Sequence, residues 1–134
     1  MKIRCGLGVV LGITLASSAA QAASPPDTLA VAESAAKSGE ATPEGRKFGE
    51  TVGQAFGREH GATIQKCAKE TKRPDLTNFN LFLRIDGTGI VDQVGIKPTT
   101  NLATCMQGKL PGWKTTPPPK AGFWVKVSVN LKPK

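Results

Sequence analysis

Asn78-Phe79-Asn80-Leu81-Phe82-Leu83-Arg84-Ile85-Asp86-Gly87-Thr88-Gly89-Ile90-Val91 is the stretch that decides the fold. Phe79, Leu81, Leu83 and Ile85 alternate with their neighbours, the period of a strand that buries one face. Asp86-Gly87-Thr88-Gly89 is a turn signal of the Asp-Gly kind. Ile90 to Lys97 then reads as the return strand, with Val91 as its first core contact and Val94 or Ile96 as a later one. A bulge or twist near Gly95 would let residues of both parities face inward.

Downstream, Pro98-Thr99-Thr100 closes the hairpin and opens a helix that Thr99 or Thr100 caps. Leu102, Cys105, Met106 and Leu110 fall on one face of it, and Pro111-Gly112 ends it. Trp113 follows as a core residue or a cover for the helix end. Pro117-Pro118-Pro119 makes a stiff extended connector. Phe123, Val125, Val127, Val129 and Leu131 then give the cleanest alternation in the chain, with Trp124, Lys126, Ser128 and Asn130 on the other face.

Upstream, Thr42-Pro43 reads as a cap followed by proline at the first helical position. Phe48, Val52, Ala55 and Phe56 follow at helical spacing, and Ile64, Cys67, Ala68 and Thr71 continue the stripe. Gly57 and Gly61 predict a kink or restart, and Pro74 ends the helix. The order is helix, strand, strand, helix, strand. This is an α+β fold, with one three-stranded antiparallel sheet covered by two helices on one face. Residues 23–41 are rich in Ala, Ser and Glu, with Pro25-Pro26 and almost no large apolar side chain. They read as a flexible linker ahead of a domain over 42–134, with at most a transient helix near 29–37.

Met1–Ala22 has the parts of an export signal: Lys2 and Arg4, an apolar run from Leu7 to Ala20, and Ala20-Gln21-Ala22 before the cut. The run falls short of the roughly 18 residues that argue for a spanning helix. Cleavage after Ala22 removes Cys5 and leaves no transmembrane span in the mature form. Cys67 and Cys105 remain as an even pair in a disulfide-permissive compartment, and the reading is one bridge between the two helices. A loop of that length is stabilised by roughly 4 kcal/mol in the chain-entropy model, a large share of the about 5–15 kcal/mol typical of a domain. With His60 as the lone histidine, no metal or cofactor site is expected.

Loss of Lys2 and Arg4 takes the net charge from +8 to +6. Lys66, Lys69, Lys72 and Arg73 form the densest basic group, without interleaved aromatics. Nucleic acid is a poor partner for an exported chain. No serine, histidine and acid stand at a recognisable spacing, and Asp86 and Asp92 read as turn chemistry. No catalytic residue is therefore assigned, and the chain reads as non-enzymatic.

The paired cysteines around the hairpin, Pro74-Asp75-Leu76, and Trp113 before Pro117 resemble the C-terminal domain of TonB energy transducers. They are closer still to the two-cysteine gliding-motility domains of the AgmX/PglI type. The likeness covers about residues 58–132. Ala68 stands where that pattern often has tyrosine, and Trp113-Lys114-Thr115-Thr116-Pro117 where it often has tryptophan, an aromatic and proline. The resemblance implies a periplasmic module that binds an extended peptide beside an edge strand, and it allows a homodimer by strand exchange. The strand physics is independent of it, because an exposed edge offers unpaired backbone groups to a partner. The candidate strand is Phe123, Trp124, Val125, Lys126, Val127, Ser128 and Val129. Lys126, Lys132 and Lys134 are its guards if the edge serves no partner. Trp124 is a contact residue if the helices leave its face open. The alternative is a basic binder of anionic envelope components such as peptidoglycan, lipopolysaccharide or acidic lipid, through Lys66, Lys69, Lys72 and Arg73.

Overall fold

The computed structural model describes residues 26–131. Within them the elements are α1 (Pro26–Glu40), α2 (Pro43–Glu70), β1 (Phe79–Ile85), β2 (Val91–Lys97), α3 (Asn101–Lys109) and β3 (Phe123–Val129). The expected export signal, Cys5, residues 23–25, Lys132 and Lys134 lie outside the described residues.

β1 is the middle strand of a sheet ordered β2-β1-β3, antiparallel throughout. The alternation read from the sequence fixes which face is inside. Leu81, Leu83, Ile85, Val94, Ile96 and the odd-numbered residues of β3 share one core with Phe48, Val52, Phe56 and Cys67 of α2 and Leu102 and Met106 of α3. The two helices expected on one face are there.

The other face is also covered, which corrects the linker reading. Residues 26–40 form α1, whose Ala32 and Ala36 are buried against Phe82, with Leu29 and Trp124 packed around them. Two alanines one helical turn apart let the α1 backbone come close to the sheet. Gly95 allows the same approach from the sheet side, because a Cβ there would stand 3.3 Å from Leu29 Cδ1. The fold therefore has three layers, with helices on both faces.

α2 begins where the sequence puts it. Pro43 is at the first helical position, and the Thr42 hydroxyl accepts from the Gly45 amide at 3.0 Å. It does not restart at Gly57 or Gly61 but continues as one helix to Glu70. Each glycine costs about 1 kcal/mol against alanine, and the buried stripe from Phe48 to Cys67 outweighs that. The helix stops at Glu70, and Arg73 takes a left-handed φ of 49° before Pro74.

The bulge is in β2, but not at Gly95. The register slips between Arg84 and Ile85, so Asp92 is the extra residue. That slip is what lets Val91 and Val94 both face the core. The turn is built by Asp86, whose Oδ1 accepts from the amides of Thr88 and Ile90 and from the Thr88 hydroxyl. Gly89, not Gly87, carries the positive φ, at 97°. α3 is capped by Thr100, whose hydroxyl accepts from the Ala103 amide at 3.0 Å.

Candidate functional site

The sheet order leaves two edges, and the chain treats them differently. On the β2 edge the segment after α3 folds back. The Val91 amide donates to the Trp113 carbonyl at 2.9 Å, and the Gly112 amide donates to the Val91 carbonyl at 2.8 Å. The Thr115 amide donates to Gly89, and the Gln107 side chain donates to the Val94 carbonyl at 2.7 Å. Chain-internal bonds thus close the Val91 end of this edge and take the Val94 carbonyl, while among the described residues none reaches the Val94 amide or the backbone groups of Ile96.

β3 is the other edge. In an antiparallel ladder each residue turns both its N–H and its C=O to the same side, and successive residues alternate. Because Val91 and Val94 point outward on β2, Gln93, Gly95 and Lys97 face β1. Their partners on β1 are Arg84, Phe82 and Asn80. Leu81, Leu83 and Ile85 are then left to pair with Val127, Val125 and Phe123. Trp124, Lys126 and Ser128 therefore turn their backbone groups outward. Among the described residues no hydrogen bond reaches those groups. Asn78 extends the ladder beyond β3 by accepting from the Leu131 amide at 2.7 Å.

The side chains of the predicted strand divide by face. Phe123, Val125, Val127 and Val129 are buried in the core, while Lys126 and Ser128 are exposed. Lys126 has no ion-pair partner among the described residues. Trp124 is half-buried beneath α1, which corrects its expected place on an open face.

The basic group is partly neutralised. Lys66 pairs with Glu70 at 3.9 Å, and Glu70 also pairs with Lys109 of α3 at 3.2 Å. Lys109 was not in the predicted group; its place beside Glu70 comes from the packing of α3 on α2. Lys69, Lys72 and Arg73 are exposed. The loop that carries Lys72 and Arg73 is held by Asn101, whose amide nitrogen donates to the Arg73 carbonyl and whose oxygen accepts from the Asp75 amide. No local sequence signal marks that clamp.

Cys67 and Cys105 form the expected disulfide, with Cα atoms 5.8 Å apart and a sequence separation of 38. The bridge ties α2 to α3 above one sheet face. Trp113 packs at the rim of that core, edge-on to Phe56 and to His60, whose ring centroid is 4.6 Å away. His60 Nδ1 lies 3.2 Å from the Thr63 hydroxyl. Burial pushes its imidazole below the usual 6.5, against a smaller opposing pull from Glu59. Among the described residues no helix is long and apolar enough to cross a membrane.

Comparison of the chain with protein-family models, with curated proteins and with solved structures finds no match.

Proposed function

We propose that this protein is a non-catalytic, exported interaction module that binds an extended peptide segment along the outer edge of β3. The observation that carries the reading is the contrast between the two edges. On the β2 edge the chain takes both groups of Val91 with its own backbone and the Val94 carbonyl with Gln107. It leaves the groups of Trp124, Lys126 and Ser128 without a partner among the described residues. An added strand would satisfy three donors and three acceptors at once and continue the antiparallel ladder. The resemblance to TonB-type C-terminal domains, drawn from the residues alone, points the same way. On this reading the signal is cleaved after Ala22, the protein works in the periplasm, and the disulfide is a scaffold element.

Titration of the ¹⁵N-labelled protein with extended peptides tests the proposal. Peptide addition should shift the amides of Trp124, Lys126 and Ser128 and survive high salt, since backbone pairing is weakly screened. Shifts confined to Lys66, Lys69, Lys72 and Arg73 that vanish in salt would instead favour the basic surface as the binding site.

A further inference from the structure

At the Phe123 end of β3 the chain leaves a cavity of about 440 Å³. Ser38 of α1, Thr42 of the α1–α2 turn, Glu44 of α2, Lys120, and Phe123 and Trp124 of β3 line it. It exists because α1 crosses the sheet toward β3. Leu29 lies against Gly95 on β2, and Gly39 reaches the tip of the Phe123 ring. The chain then turns through Ala41 and Thr42 to start α2 on the opposite face. The turn stands off the start of β3, and the space between them is the cavity. Its lining mixes aromatic rings with a few polar groups, the make-up of a site that takes an apolar group and orients it.

We infer that this cavity is an anchor site for one large apolar side chain of the segment docked on β3, a deepening that rests on the edge-binding reading above. The placement follows from strand geometry. Trp124, Lys126 and Ser128 turn their backbone groups outward, so a strand laid beside β3 puts residues opposite each of them. Side chains two residues apart share a face. The residue opposite Lys126 sits beside an exposed ammonium group that has no ion-pair partner among the described residues. The residue opposite Trp124 sits at the mouth of the cavity, on the α1 side of the sheet. The partner is therefore an extended segment with an acidic side chain and, two residues away toward Phe123, an aromatic or large aliphatic one. Its charge complements Lys126 at the open end of the edge; at the cavity rim Lys120 stands with the acidic Glu44, so the acidic residue belongs opposite Lys126 and not in the cavity. Aromatic side chains seated in desolvated pockets are the usual anchors of such interfaces.

The test uses the full mature chain and two synthetic peptides, acetyl-Thr-Asp-Thr-Phe-Thr-amide and its alanine counterpart in place of phenylalanine. The phenylalanine peptide should bind at least about tenfold tighter, the value of burying one such side chain. It should also move the Trp124 indole resonance. Ser38→Trp, at an exposed position on the cavity rim, should abolish the tenfold preference while leaving the alanine peptide's affinity unchanged. That unchanged affinity shows that the variant is folded and its edge intact. Equal affinities with shifts at Lys126 and Ser128 would overturn the anchor site and leave the edge reading standing. No amide shift on β3 with either peptide would overturn both.

Discussion

Glu33 of α1 and Lys97 of β2 are joined by an ion pair of 3.1 Å that pins the first helix across the sheet. Lys97 is exposed and Glu33 half-buried at the surface, so the pair itself contributes about 0–1 kcal/mol. The seat of α1 rests mainly on Ala32 and Ala36 against Phe82. Ala36→Glu buries a charge in that seat and should unseat the helix at a cost of about 1–3 kcal/mol. The Trp124 indole resonance should move toward its solvent-exposed position, and the Phe82 amide should shift with it, while the amides of α3 on the opposite face keep their shifts. Cooperative loss of the whole fold would mean that α1 is not a separable layer.

Replacing Cys67 and Cys105 together by serine should lower stability by about 2–4 kcal/mol. A urea melt of the oxidised and variant proteins measures it directly. The mass of the oxidised chain should fall two hydrogens short of the reduced one. An unchanged melt would mean that packing of α2 on α3 suffices without the bridge.

Gly89 stands at a φ of 97°, and a Cβ there would collide with the Thr115 carbonyl oxygen. Gly89→Ala should therefore cost about 1–3 kcal/mol from backbone strain, with more from the collision. Gly57→Ala is the control. Its Cβ meets nothing within 4 Å, and the change should stabilise α2 by about 1 kcal/mol. Thermal melts of the two variants should move in opposite directions.

His60 supplies the pH dependence near neutrality. Its folded imidazole titrates below 6.5 because burial disfavours the cation. The unfolded chain therefore takes up its proton first as pH falls. Stability contributed by neutral His60 is present above about 6.5 and is lost as pH falls through the folded value. Asp86 and Asp75 have the same sign in a lower window. Their folded carboxyls are held below 3.8, chiefly by the hydroxyls of Thr88 and Thr77. His60→Phe should flatten the upper decline and leave the lower one in place. Stability followed by urea melts across pH would show it.

Much of this architecture was legible in the residues. The alternation at Phe79–Ile85, the helical face of Leu102, Cys105 and Met106, and the Thr42-Pro43 start all stand where the periodicity puts them, and the last alternation forms a strand over Phe123–Val129, short of Leu131. α1 did not announce itself, because its buried face is made of alanines, which leave no hydrophobic stripe. The signal that a second face is covered lay instead in the sheet. Phe82 on β1 and Trp124 on β3 are too large and apolar to leave bare, and both point away from the main core. Gly95 misled in the same way: its missing side chain makes room for Leu29, while the bulge belongs to Asp92. At the candidate site the edge strand was legible from its alternation. Its free side was not, because that depends on which neighbour the central strand takes. The partial closure of the β2 edge, at Val91 and the Val94 carbonyl, depends on Gln107, Gly112 and Trp113, whose contacts no local pattern records.

The central claim, that β3 presents alternate backbone groups to a partner strand, is tested most directly by amide hydrogen exchange along β3 with and without peptide. In the free protein Val125, Val127 and Val129 should exchange slowly and Lys126 and Ser128 fast. Bound acetyl-Thr-Asp-Thr-Phe-Thr-amide should slow Lys126 and Ser128 by tenfold or more and leave the slow set unchanged. Uniform protection of all these amides in the free protein, or fast exchange at Lys126 and Ser128 that saturating peptide does not slow, would contradict it.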